Sequence, residues 1–358
     1  MGERPARRIK ADALGDLMRR LLMAVGLPPE SAAICAEVFL EADLKGHAIQ
    51  GIDHIHSMLL SMRDGRSNPG GRPRIVCEKE ASALVDGEGG PGQPALLFAA
   101  DLAVNKANKA GCCAVGVRNC YDVFMLGYYG ERIAREGLAG IVMTTGTPLV
   151  HPHGGADRLI GTNPLVIAIP ALEKAPVLLD FATSAIASGT IVEALAHGEE
   201  LPEGVAVGPD GLPTRDPTAA AVGANSPLGG HKGYGLGLCV GLLAGPLVGA
   251  KVGRAAIDAG HVTTGGKRGY MMGKRGNLVV AIDPSAFGEP AVFLEAVGAH
   301  LEEVKNSTKA PGVEEIRIPG ARGFAEKKRR EREGVLVYQT VWDEIVRLAG
   351  ELKVPLPE

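Results

Sequence analysis

The sequence is poor in aromatic residues: one Trp, six Tyr and seven Phe make up 4% of its 358 positions. Proteins that hold single-stranded nucleic acid stack bases on aromatic side chains, so this composition argues against such a platform. Nor is there an excess of charge of one sign. The formal net charge is −3, which gives no pull toward nucleic acid or an anionic membrane. The one basic run, Lys327-Lys328-Arg329-Arg330 with Arg332, is interleaved with Glu326, Glu331 and Glu333 and reads as a solvated helix face. Cysteines are few, at 35, 77, 112, 113, 120 and 239, with neither CxxC nor a regular spacing. Neither a disulfide framework nor a zinc site is supported, and no metal is expected. Reduced, mostly buried thiols in a cytoplasmic protein are the expectation.

Long apolar runs are also missing. The longest uncharged stretch, 233–250, carries glycines at 233, 235, 237, 241, 245 and 249 and a proline at 246. It predicts a buried helix, not a membrane span. The start, Met1-Gly2-Glu3-Arg4-Pro5-Ala6, has no apolar stretch behind its charges, as a secretory signal would, and Ala6 stands where a myristoylation motif needs Ser or Thr. Neither membrane nor nucleic acid is expected as a partner.

What is abundant is small residues. The 50 Gly and 24 Pro form about a fifth of the chain, against an average near 12%. They show no G-X-Y period, so they predict tight turns and close backbone approaches rather than collagen. With 46% hydrophobic and 22% charged residues, the composition is that of a globular protein, long enough for two or three domains. Helical spacing covers 11–25, 29–44 and 55–62, and a Gly/Pro loop at 67–71 closes this helical part. Strand and helix signals then alternate: strands at 83–86, 113–117 and 140–144, helices at 94–110 and 128–136. This predicts an α/β sandwich. Strands at 165–169 and 176–180 abut without a helix between them, which predicts a mixed sheet. The stretch 196–227 reads as surface loops, 277–282 as a strand, and 293–305 and 341–352 as helices. The expected division is a helical N-terminal part carrying the substrate loop (1–72), a cofactor-binding α/β core (73–290) and C-terminal helices packing back on the N-terminal part (291–358).

Gly87-Glu88-Gly89-Gly90-Pro91-Gly92 satisfies G-x-G-x-x-G, but Asp86 and Glu88 would repel a diphosphate there, so it reads as a structural turn. More informative are Gly154-Gly155, Gly161-Thr162-Asn163-Pro164 and Gly229-Gly230-His231-Lys232-Gly233-Tyr234-Gly235. These loops offer backbone N–H groups and a fixed cation, which suits a phosphate. Asp180-Phe181-Ala182-Thr183-Ser184 follows a strand, the place where open α/β sheets bind ligands.

In this order, and together with Ala42-Asp43-Leu44-Lys45-Gly46, the Val85-Asp86-Gly87 turn and Pro319-Gly320, these blocks resemble the malate/L-lactate dehydrogenase family. Those enzymes lack a Rossmann fold and include sulfolactate, ureidoglycolate, diketogulonate and cyclic-imino-acid reductases. The likeness runs over roughly residues 10–350. It implies a three-layer α/β/α core with a mixed sheet, NAD or NADP as cofactor, and a homodimer with the active site near the subunit interface. It places Asp180, Phe181, Ala182, Thr183, Ser184, His231, Lys232 and Gly233 on the cofactor, with Lys232 at the phosphates, and Thr162 and Asn163 at the substrate. Gly146 falls where a serine often touches the cofactor, so that bond must be lost or replaced.

The departures concern the chemistry. Members of that family usually carry Ser-His-Gly and then an Arg three residues on; without gaps, this chain reads Ile49-Gln50-Gly51 and then His54. Their second histidine falls at Asp122. Gln50 can hydrogen-bond a carbonyl but cannot deliver a proton. His54 could serve as a weaker, pH-dependent anion partner or lie on the surface. Asp122 could act as acid or base, bind a cationic group of the substrate, or cap its loop. The expected function is NAD(P)-dependent reduction of a C=O or C=N group in a small 2-oxo or 2-imino acid, or the reverse, with Gln50, His54 and Asp122 as the candidate catalytic set. The alternatives are a non-redox enzyme or a catalytically silent cofactor-binding protein on the same fold. Since losing a general acid typically costs ~10²–10⁴-fold, malate and lactate turnover at neutral pH should be negligible; robust turnover of either would show that His54 or His56 occupies the donor position.

Overall fold

The computed structural model describes residues 6–172, 175–258 and 274–357; residues 1–5, on which the reading of the chain start rests, lie outside them. A short strand β1 (Ala6–Ile9) leads into α1 (Ala11–Ala24), α2 (Pro29–Leu44), two 3-10 turns (Ala48–Gln50 and Ile52–His54) and α3 (Ile55–Arg63). Leu14, Leu17, Met18, Leu21 and Leu22 of α1 are all buried, the one-sided stripe that a packed helix requires. Gly26, at φ +97°, turns the chain after α1, and Pro29 opens α2 at its first position, where a missing N–H costs nothing.

The body runs β2 (Arg74–Lys79), β3 (Ser82–Asp86), α4 (Gly92–Ala110), β4 (Cys112–Cys120), α5 (Leu126–Arg135), β5 (Ala139–Thr144), β6 (Pro148–Val150), β7 (Ile160–Gly161), β8 (Leu165–Ile169) and β9 (Val177–Phe181). Then follow α6 (Ser188–His197), β10 (Ala206–Val207), α7 (Pro217–Val222), β11 (Ala224–Asn225), α8 (His231–Ala244), α9 (Arg254–Asp258) and β12 (Arg275–Ile282). The chain ends with α10 (Pro290–Asn306), α11 (Ala321–Glu333), β13 (Val335–Tyr338) and α12 (Gln339–Leu352).

The main sheet has seven strands in the order β2-β3-β4-β12-β5-β8-β9. Only β3 and β4 pair in parallel; the other neighbours are antiparallel. Both faces are covered. Cys113, Val115 and Val117 of β4, with Val279 and Ala281 of β12, pack on α4 and α5. The alternate residues Ala114, Leu278 and Val280 meet Val240 and Ala244 of α8. This period of two makes the fold a three-layer α/β/α sandwich with a mixed sheet. A second core joins α1, α2 and α3 to β13 and α12 through Phe39, Met58, Trp342 and Ile345.

Four local readings are corrected. The stretch 196–227 is more than surface loop: it holds β10, α7 and β11, and Leu201, Ala206 and Ala220 build a small core with α6. These strands are two residues long, too short to show a period. Helix α8 is not buried all round, for Leu236, Leu238, Leu242 and Leu243 are 37–49% exposed; the sheet covers only its other face. Cys77, Cys112 and Cys239 are exposed, so only half of the thiols are buried. The basic run on α11 is not wholly solvated, because Lys327 pairs with Glu41 at 2.6 Å and Arg330 donates to the Asp43 carbonyl at 2.8 Å.

The layers approach closely at Gly130 of α5, where a Cβ would overlap the Val166 side chain of β8. An exposed helical Gly→Ala change gains about 1 kcal/mol. Here overpacking costs about 1–3 kcal/mol, so Gly130→Ala should lower the denaturation midpoint; a raised midpoint would contradict this packing.

Candidate active site

The loop that carries Gln50 and His54 is set by a buried carboxyl. Asp43, 1% exposed near the end of α2, accepts the Ile52 N–H at 2.9 Å. A Cβ at Gly51 would overlap this carboxylate, so position 51 has no room for a side chain. Burial raises the Asp43 carboxyl well above the usual range. Held this way, the loop makes its two 3-10 turns and brings the His54 ring edge-on to Phe124, at 5.6 Å between centroids. The ring also hydrogen-bonds the Ile49 backbone and lies in the field of Asp122. Desolvation outweighs that field and pushes the imidazole down to about 4. His54, half-buried, is therefore neutral at neutral pH, which does not suit the expected pH-dependent anion partner.

Asp122 lies between β4 and α5. The Arg275 guanidinium, at the start of β12, donates through Nε to Oδ1 at 3.3 Å and through Nη2 to Oδ2 at 3.0 Å. Its Nη1 donates to Thr147 Oγ1 at 3.1 Å. The arginine side chain is 6% exposed and the aspartate 32%, so the carboxylate is the member that meets solvent. Gln50, half-buried, follows Ile49 directly. The structure thus brings the Gln50–His54 loop and Asp122 to one place. Sequence reasoning missed Arg275, which follows Lys274 at the start of a strand with no motif around it. It also missed Asp43, whose signal is a carboxylate within an apolar helix end.

The cofactor candidates divide. Asp180 lines a cavity of about 160 Å³ with Lys45, His47, Met125, Arg322 and Phe324. Its Oδ2 accepts the Gly127 N–H at 2.8 Å, and the enclosing atoms raise its carboxyl to about 6 although the residue as a whole is exposed. Lys45 is spent on Glu41, at 2.9 Å, and on Glu131. Phe181 and Ala182 are half-buried. Thr183 and Ser184 face inward: Thr183 Oγ1 donates to the Thr162 carbonyl at 3.0 Å, and Ser184 Oγ to the Ile186 carbonyl at 2.8 Å. Asn163 is a brace, accepting the Gly146 N–H and donating to the Gly237 carbonyl, both at 2.8 Å. A Cβ at Gly146 would lie 2.6 Å from Thr162 Oγ1, so no serine fits there; Asn163 takes up the backbone donor. Gly229 and Gly230, both at positive φ, lead into α8, and His231 and Lys232 stand exposed on its first turn, while Gly233 is covered by the Leu228 carbonyl. A helix N-terminus with an exposed cation suits a diphosphate, and a reachable carboxylate such as Asp180 suits a ribose hydroxyl. These donors fit a nicotinamide dinucleotide.

Comparison with known proteins agrees with this architecture. Residues 9–346 match the family described as malate/L-lactate dehydrogenase, and the chain belongs to that family. It is 36% identical over 349 residues to L-sulfolactate dehydrogenase of Methanothermobacter thermautotrophicus, covering 98% of each chain. Against Delta(1)-pyrroline-2-carboxylate reductase of Ancylobacter novellus it is 34% identical over 333 residues, covering 93% of this chain and 94% of the other. The structure of sulfolactate dehydrogenase from Methanocaldococcus jannaschii superposes with a TM-score of 0.89 at 35% identity, over 98% of both chains.

The environment of His54 gives a direct test. An unfolded imidazole takes its proton near 6.5, whereas the folded one waits until about 4. The stabilisation is therefore complete above pH 6.5 and is lost as pH falls toward 4. Histidine NMR should show one ring titrating near 4, and His54→Asn should flatten the loss of stability across that window. Titration of the ring near 6.5 would contradict the desolvated placement.

Proposed function

We propose that the protein is an NAD(P)-dependent oxidoreductase that reduces the C=O or C=N group of a small 2-oxo or 2-imino acid, or runs the reverse reaction. The observation that carries this reading is the meeting of the Gln50–His54 loop with Asp122, which joins the positions of the family's two acid/base residues at one wall. The relatives' names support it: they are dehydrogenases of sulfolactate and reductases of pyrroline-2-carboxylate.

In this reading Lys232 and His231 hold the phosphates at the start of α8, and Asp180 holds a ribose hydroxyl. When bound, the nicotinamide supplies or receives a hydride. Gln50 then orients the substrate through its amide, which donates to a carbonyl oxygen or accepts from an imine N–H. His54, neutral beneath Phe124, closes the wall against water. Asp122 supplies a fixed negative charge, oriented by Arg275.

The reading is tested by titrating the protein with NADH and NADPH, followed by turnover with oxo and imino acids. Lys232→Met should weaken cofactor binding by about 1.5–3 kcal/mol, the range for a charge-assisted hydrogen bond. An unchanged dissociation constant would remove Lys232 from the site.

A further inference from the structure

We propose that the substrate arrives as a cation, the N-protonated iminium form of a small 2-imino acid, and that Asp122 is the residue that meets its nitrogen. This rests on the reductase reading above and narrows it to one substrate class. The first argument is an inventory of protons. Reducing a carbonyl creates an alkoxide, which needs a proton as the hydride arrives. Gln50 has none to give. His54, packed edge-on against Phe124, carries no ionisable extra proton at neutral pH because burial keeps it neutral. Asp122 accepts two N–H groups of Arg275, the geometry of a carboxylate and not of a donor acid. A carbonyl substrate would meet no acid among these residues.

The second argument is charge. Arg275 is buried behind Asp122, and the carboxylate is the more exposed of the pair. Among the described residues, the titratable groups facing Asp122 are Arg275 from β12, His54 from the second 3-10 turn and Cys120 from β4. Of these only the guanidinium is charged at neutral pH, and it lies on the inner side. A ligand therefore meets a fixed anion, which selects a cation.

The third argument is the balance of the reaction. Hydride adds to the carbon of the C=N⁺ bond, and the π pair moves onto nitrogen. The C–H bond forms, the product is a neutral secondary or primary amine, and the reduced nicotinamide ends oxidised. No proton enters or leaves in that step. The nitrogen's charge fades toward the transition state, so Asp122 contributes more to binding than to the chemical step.

The test compares a five-membered cyclic 2-imino acid with the open-chain 2-oxo acid of the same carbon number, using NADH and NADPH. The imine should exceed the oxo acid in kcat/KM by ~10²-fold or more, the usual worth of a general acid. Asp122→Asn should raise the imine KM by about 10–100-fold, with kcat changed much less and cofactor affinity unchanged. Because that variant changes the charge balance around the buried guanidinium, Asp122→Asn/Arg275→Met, which removes both charges, should show the same KM effect. Calorimetric binding of the saturated ring amino acid, which needs no turnover, should weaken in parallel. Equal or better reduction of the oxo acid would overturn the proposal, as would Asp122 variants with wild-type KM and amine affinity. Cofactor binding without turnover of either class would overturn it too. Failure to bind either cofactor would instead sink the reductase reading on which it rests.

Discussion

The anchoring of the Ala48–His54 loop is the constraint on which the rest of the site depends. It starts at Asp43, whose buried carboxyl takes the Ile52 N–H and fills the space a side chain would need at Gly51. An unpaired backbone donor under the loop would cost about 1–3 kcal/mol, so the clamp fixes the loop, with the His54 ring edge-on to Phe124. From this follow the desolvated His54 and the position of Gln50 on the same loop. The clamp is also tied outward, since Arg330 of α11 donates to the Asp43 carbonyl. The first turn of the same helix lines the Asp180 cavity through Arg322 and Phe324. One helix thus braces both the loop and the cavity wall.

The second determinant is how charge is distributed. Burying an arginine alone is costly, and a bidentate carboxylate offsets that cost. Arg275 and Asp122 satisfy each other in this way, with Thr147 taking a further donor. The pair leaves its negative end toward solvent. Under the proposal above, Asp122 offers a ligand a negative charge at the place where the resemblance implies a histidine. On that proposal, Gln50, His54 and Asp122 form a cation-holding wall rather than a proton-giving one. Lys45 shows the contrasting case: buried between Glu41 and Glu131, it is neutralised and acts as a strut.

Much of the fold was legible because periodicity reports burial. The stripe of α1 and the alternating strands β4, β5 and β8 each bury one face or both, and their spacing shows it. β1 was not legible, since its partner β13 lies more than three hundred residues away and a four-residue strand carries no pattern of its own. The same holds for β6, β7, β10 and β11, which form a separate small sheet. Helix α8 misled because leucine on every side reads as full burial, whereas only one side meets the sheet. At the site, Gln50, His54 and Asp122 were visible as departures from a familiar order of loops. Arg275 was not, because a guanidinium that pairs across 153 positions leaves no local trace, and the loss of charge on His54 depends on Phe124 packing against it.

The central claim is that hydride transfer proceeds here without a proton from the protein. Isotope effects on kcat/KM for the preferred substrate test it most directly. Deuterium at the transferable position of the nicotinamide should slow the reaction, while D₂O as solvent should leave that same step unchanged. A solvent isotope effect expressed on the step that the deuterated nicotinamide slows would place a proton in flight, and would contradict the account.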